Sequence, residues 1–172
     1  LITLVLGGTR SGKSVVAERL AARMEAHVTY VATMQIGDDP DLAKRVDEHR
    51  ARRPPQWRTE EAGADLPGLL RRLEGPAIVD SLGGWVAASQ DMYVDATELC
   101  AALKERDGDS LVVSEEAGLG VHPSTDAGRR FRDVLGTLNQ AVASVADEVL
   151  LVVAGRILHL EGTPSDDNGG LS

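Results

Sequence analysis

Apolar residues fall into short continuous runs separated by stretches in which they recur every three or four positions. The runs Ile2–Leu6, His27–Ala32, Ala77–Asp80, Ser110–Ser114 and Glu148–Ala154 read as strands, and a short final strand is expected at Arg156–Leu160. Helical spacing marks Asp41–Arg53, Asp65–Leu73, Asp95–Arg106 and Thr125–Val145, each opening on Asp or Thr, whose side chains cap free helix amides. Another helix begins near Lys13, where Val15, Val16, Ala17, Leu20, Ala21 and Met24 share a face. Strands that are apolar throughout are buried on both faces. Their alternation with helices predicts a mostly parallel sheet covered on both sides, a three-layer α/β fold.

The chain has no internal repeat and no linker rich in Pro, Gly and Ser, so residues 1–160 are read as one domain. Residues 161–172 are mainly Gly, Pro, Ser, Asp and Asn and are expected to form a mobile tail. The single cysteine, Cys100, allows no internal disulfide, which fits a reducing cytoplasm. No uncharged apolar segment approaches the ~20 residues that span a bilayer.

Charge changes the picture locally more than globally. Acidic residues outnumber basic ones 27 to 18, and the net charge of −9 argues against a nucleic-acid partner. Yet Lys44, Arg45, Arg50, Arg52, Arg53 and Arg58 face only Asp47 and Glu48 in the same stretch. This basic island is either a solvated helix face or an anion site.

The segment after the first strand suggests which anion. Gly7-Gly8-Thr9-Arg10-Ser11-Gly12-Lys13-Ser14 fits the phosphate-loop pattern G-x-x-x-x-G-K-[ST] between a strand and a helix. Gly7 and Gly12 are expected to give the backbone positive φ, turning successive amides toward phosphate oxygens. Lys13 reaches the β- and γ-phosphates, and Ser14 offers a hydroxyl to a Mg²⁺ bridging them. These features imply a P-loop nucleoside triphosphatase fold that binds a nucleoside triphosphate.

Ligands of such sheets sit at the carboxyl ends of the strands. Asp80 ends an apolar strand and is the expected carboxylate partner of Ser14 at the metal, with helix capping as the alternative. Glu115 and Glu116 end another strand, and one of them is expected to orient a metal-bound water or take a proton from an acceptor hydroxyl. Glu116 is preferred, although spacing does not separate it from Glu115.

His49 falls on the apolar stripe of its helix with Leu42 and Val46, the usual place of a packed histidine. The alternative is chemical. A neutral imidazole can attack the α-phosphorus of a nucleotide, expel pyrophosphate and carry the nucleotidyl group, with the neighbouring arginines neutralising the phosphates.

The motifs together resemble the bifunctional adenosylcobinamide kinase/adenosylcobinamide-phosphate guanylyltransferase family. The resemblance runs from Ile2 to about Ala154: the phosphate loop, Tyr30-Val31-Ala32-Thr33, His49, Arg53-Pro54, Trp57-Arg58-Thr59-Glu60-Glu61, Glu116-Ala117-Gly118-Leu119-Gly120, Arg130-Phe131-Arg132-Asp133 and Asn139-Gln140. It implies a RecA-like sheet, a cytoplasmic homotrimer, and two reactions on one chain. Adenosylcobinamide would be phosphorylated by ATP or GTP, and GMP would then pass from GTP through His49 to the phosphate, giving adenosylcobinamide-GDP and pyrophosphate. Nucleotide contacts carried over by the resemblance are Gly7 to Ser14, Ala32, Thr33, Met34, Arg50, Ala51, Arg52, Arg53, Glu61 and Asp80. Lys13 and His49 would be catalytic, and Ser14, Asp80 and Glu116 would serve Mg²⁺. The competing readings are another small-molecule or nucleotide kinase without a covalent histidine, and a non-catalytic module that reports triphosphate occupancy.

Overall fold

The computed structural model describes residues 1–24, 27–34, 53–120 and 122–162. The expected helix at 41–53, His49, Arg50, Ala51 and Arg52, and nearly all of the expected tail therefore lie outside the described residues.

Among the described residues, seven strands form one sheet: β1 Ile2–Gly7, β2 Thr29–Ala32, β3 Arg58–Glu61, β4 Ala77–Asp80, β5 Ser110–Glu115, β6 Glu148–Val153 and β7 Arg156–Leu160. Their order is β3-β2-β4-β5-β1-β6-β7, and every neighbouring pair is parallel except β6 with β7. β1 is buried along its whole length, as its unbroken apolar run requires. Alternation sends its side chains to opposite faces. Ile2, Leu4 and Leu6 join one core with Val31, Val79 and Val112, whereas Val5 joins a second with Tyr30, Ile78, Leu111 and Val113.

Helix α1 (Lys13–Ala21) covers the second core through Val16, Ala17 and Ala21. The other face carries α2 (Leu66–Arg72), α3 (Leu82–Ala88), α4 (Ala96–Glu105) and α5 (Asp126–Ala143). This is the three-layer arrangement the pattern predicts. The Asp65, Asp95 and Thr125 side chains each accept a bond from the first-turn amides of α2, α4 and α5, so the predicted caps mark true helix starts.

Among the described strands and α-helices, two fall outside the sequence expectations. The edge strand β3 is mostly exposed and polar, so no apolar run announces it. Helix α3 holds Gly83 and Gly84 in its first turn, residues that argue against a helix on propensity alone. Capping by the Ser81 hydroxyl and burial of Leu82, Trp85 and Val86 outweigh that cost.

The connections place the site. The chain leaves β5 on one side of β1 and returns as β6 on the other, so the carboxyl end of β1 is where the strand order switches direction. Gly7 ends β1 there.

Candidate active site

The phosphate loop closes on itself before any ligand is considered. Ser11 N donates to Gly8 O at 3.2 Å, and Val16 N donates to Gly12 O at 3.0 Å as α1 begins. Positive φ belongs to Arg10 (57°) and Gly12 (94°); Gly7 is not among the positive-φ glycines. This corrects the reason for the first glycine. A Cβ at Gly7 would overlap the Ser11 hydroxyl and sit 2.8 Å from Val152 O, so close approach demands glycine there. The β6–β7 turn braces the loop from outside: Gly155 N donates to Ser11 O at 2.8 Å, and a Cβ on Gly12 would lie 3.4 Å from Gly155 Cα. The Ser11 hydroxyl is buried without a hydrogen-bond partner.

Lys13, the first residue of α1, leans toward the neighbouring strand. Its Nζ lies 3.5 Å from Glu115 Oε1 and donates to Gly8 O at 3.4 Å. Parallel register brings this pair together, because Gly7 stands opposite Glu115. The Glu115 carboxylate also accepts bonds from the Ser81 hydroxyl (2.9 and 3.1 Å) and from Gly83 N (3.1 Å).

Glu116, the preferred carboxylate from the sequence, lies elsewhere. Its Oε1 accepts from Gly118 N at 2.9 Å, and it lines a separate cavity of about 600 Å³ with Asn139 and Gln140. The reason is strand parity. Leu111 and Val113 belong to the α1 face and Ser114 bonds to Asn139 of α5, so a one-residue step carries the side chain across the sheet.

Asp80 ends β4 abreast of Ala32, which in turn stands opposite Glu61 of β3. Three predicted contacts from distant parts of the sequence thus share one sheet edge. Tyr30 donates its hydroxyl proton to Asp80 Oδ2 at 2.6 Å. Burial first, then the adjacent Asp80 carboxylate and this bond, hold the Tyr30 hydroxyl protonated well above its ordinary range. The Arg53 guanidinium lies over the Tyr30 ring, 3.2 Å from its centroid. Arg53, at the border of the basic island, is therefore tied to the carboxylate at the end of β4.

Thr33 has a different part from a simple contact. Its hydroxyl accepts from Ser81 N at 2.8 Å and donates to Ser81 O at 2.6 Å, so the group is spent on bracing the turn after Asp80. The peptide bond between Asp80 and Ser81 is cis. Met34 is 46% exposed and lines a cavity of about 460 Å³ beside α3. Gly8, Thr9 and Arg10 are exposed at the loop tip, and Ser14 is half-buried one residue into α1.

A family model for cobinamide kinase / cobinamide phosphate guanyltransferase matches residues 3–160. The chain belongs to that family. It is 42% identical over 171 residues to the bifunctional adenosylcobalamin biosynthesis protein CobP of Pseudomonas aeruginosa, covering 94% of this chain and 98% of that protein. It is 35% identical over 177 residues to CobU, of the same description, from Escherichia coli K12, with 90% and 97% covered. Among solved structures, an ATPase of the type III secretion system of pathogenic bacteria is similar at TM-score 0.56 and 12% identity. The match covers 87% of this chain and 50% of that one. That likeness shows the fold alone, an α/β architecture on a mostly parallel sheet.

As a member of the cobinamide kinase / guanyltransferase family, the chain is a bifunctional enzyme of cobalamin biosynthesis. Several residues that shape this family member's site have no role assigned to them from the sequence, although Asn139 belongs to the Asn139-Gln140 motif of the resemblance. Asn139 of α5 accepts from the Ser114 hydroxyl at 2.6 Å and donates to Glu115 O at 3.0 Å, fixing the end of β5. Ser81 and Gly83 hold the Glu115 side chain itself. The one signal for them is their place: a Ser capping a Gly-rich turn directly after a strand-end Asp.

Proposed function

We propose that one nucleotide site at the carboxyl end of β1 serves both reactions, phosphorylating adenosylcobinamide and then guanylylating the phosphate through His49. The observation that carries this reading is the junction of the phosphate loop with the basic island. Lys13 meets Glu115, Glu115 meets Ser81, and the preceding Asp80 is bonded to Tyr30 beneath Arg53. Lys13 and the loop amides hold the triphosphate, and Arg53 brings positive charge to the same edge.

The oxygens on offer suit magnesium. The Asp80 carboxylate is half-buried, Ser14 supplies a hydroxyl at the helix start, and both are hard ligands. No group of three or more His, Cys, Asp or Glu able to hold a metal occurs among the described residues, so most of the ion's ligands would come from the triphosphate and water. When bound, Mg²⁺ would neutralise charge developing on the phosphate oxygens. Ser14 and Asp80 are the residues for it, while the Glu116 carboxylate accepts from Gly118 N.

His49 then carries the second chemistry. Its imidazole attacks the α-phosphorus of GTP, the bond to the pyrophosphate oxygen breaks, and GMP rests on nitrogen until the phosphorylated acceptor takes it. Incubation with α-labelled GTP and Mg²⁺ is expected to leave acid-labile, base-stable label on the protein, and His49→Ala to abolish it. Label that persists in His49→Ala, or never forms, sinks the covalent route and leaves a simple kinase.

The homotrimer rests on one further feature. Val153, Ile157, Leu158 and Leu160 on the β6–β7 hairpin are 38–60% exposed, an apolar edge that a second copy of the chain would cover. Leu158→Glu is expected to lower the mass measured by sedimentation equilibrium. A cytoplasmic location suits an enzyme that draws on nucleoside triphosphates. No helix among the described residues is long and apolar enough to cross a membrane.

A further inference from the structure

The cavity beside α3 reaches the phosphate loop through the Glu115 side chain. It has a volume of about 460 Å³ and is walled by Met34, Phe131 and the small residues Gly83, Gly84, Ala87 and Ala88. Ser81 and Glu115 supply its polar end. Glu115 is the same carboxylate that lies 3.5 Å from Lys13, and its side chain is 29% exposed. Gly83 makes this possible, since a Cβ there would overlap the carboxylate.

We propose that this cavity receives the hydroxyl-bearing aliphatic arm of the kinase acceptor, and that Glu115 accepts the hydrogen bond of the hydroxyl to be phosphorylated. The inference rests on the proposed use of the phosphate loop and adds where the acceptor sits. A triphosphate at the loop draws Lys13 toward the β- and γ-phosphates, away from Glu115. One oxygen of a carboxylate already fixed by Ser81 and Gly83 N is then available, and it lies between the apolar walls and the reacting phosphate. A hydroxyl on a flexible apolar stem fits such a pocket, whereas an anionic group is repelled by it.

In the transfer, the acceptor oxygen bonds to the γ-phosphorus as the bond from that phosphorus to the β,γ-bridging oxygen breaks. The nucleoside diphosphate departs with the electron pair. The transition state is loose, so the hydroxyl proton leaves late, by way of the phosphoryl oxygens to water. Glu115 therefore acts through orientation, and an uncharged hydrogen-bond acceptor can replace it.

The experiment uses the full chain, with adenosylcobinamide as acceptor and ATP or GTP as donor. Glu115→Ala is expected to lower kinase kcat about 100-fold and Glu115→Gln only about 5-fold, because the amide oxygen still accepts the bond. Donor affinity should be held or tightened in both, since Lys13 no longer leaves a carboxylate. Ala87→Trp, at an exposed position of the wall, is expected to raise the acceptor's KM and its calorimetric Kd at least about 10-fold, without weakening the donor's Kd. Donor binding weakened by Ala87→Trp would assign the cavity to the nucleotide and overturn the proposal. So would a Glu115→Gln variant as slow as Glu115→Ala, or an acceptor Kd unmoved by Ala87→Trp. A wild-type protein that binds acceptor in the cavity but forms no phosphorylated product would instead overturn the functional reading beneath it.

Discussion

The two ends of the sheet solve opposite problems. At the amino end the chain satisfies itself. The buried Arg106 donates from Nη1 to Gly108 O, Asp109 O and the Ser110 hydroxyl at 2.8–2.9 Å, and from Nη2 to Gly75 O at 2.5 Å. Only its Nε lacks a partner. This one side chain closes the turns that lead into β4 and β5, and Ile2 N donates to Asp147 Oδ2 at 2.7 Å. At the carboxyl end, left-handed backbone at Arg10 and Gly12 and the unpartnered Ser11 hydroxyl surround a lysine with only a provisional partner. One end consumes its hydrogen-bonding capacity for stability, while the other keeps part of it for a ligand.

Breaking each end should therefore damage different properties. The largest effect belongs to Lys13→Ala, which is expected to reduce kinase turnover about 1,000-fold while leaving the urea midpoint near that of the wild type. A large loss of stability with it would mean that the Lys13–Glu115 pair is structural. Next comes Arg106→Met, which keeps the apolar stem but strands four acceptors. It is expected to cost about 3 kcal/mol in equilibrium unfolding, with donor affinity unchanged in the protein that remains folded. If its nucleotide affinity fell in step with stability, the two ends would not be independent.

Legibility follows the same division. The β1-loop-α1 unit is readable because each part has its own signature: a fully apolar run, spaced glycines and lysine, then helical periodicity. The caps at Asp65, Asp95 and Thr125 are readable for a similar local reason. The choice between Glu115 and Glu116 is not, because it depends on strand parity and on β5 lying next to β1, which no local pattern records. Nor is α3, whose glycines look like a loop until Glu115 and Thr33 are seen pressed against them. Arg106 reads in the sequence as an ordinary helix-end cation, although its burial is what closes the opposite edge.

A smaller effect is expected at Gly12 of the phosphate loop. At Gly12 an Ala must adopt φ near 94°, costing about 1–2 kcal/mol, and must also press on Gly155. Gly12→Ala is expected to lower both stability and donor affinity. The cost of strain at the ligand end then appears in unfolding as well, which would show how much stability this edge gives up for its shape. A Gly12→Ala protein with wild-type stability would mean that the loop relaxes elsewhere.

The smallest signal is spectroscopic and tests how firmly the ligand end is built where it does close. The chain has two tyrosines. Tyr93 is 75% exposed, whereas Tyr30 is buried with its hydroxyl on Asp80. Ultraviolet titration of the native protein is expected to show the Tyr30 phenol ionising only as the fold is lost. Because the folded pKa of Tyr30 is raised, the native state binds more protons than the unfolded chain above pH ~10. Its contribution is fully present below that pH and declines as pH rises beyond it. Tyr30→Phe should remove this alkaline slope and cost about 1–2 kcal/mol below it by leaving Asp80 without its donor. If the Tyr30 phenol ionises while the fold is intact, its bond to the Asp80 carboxylate is looser than the buried geometry requires.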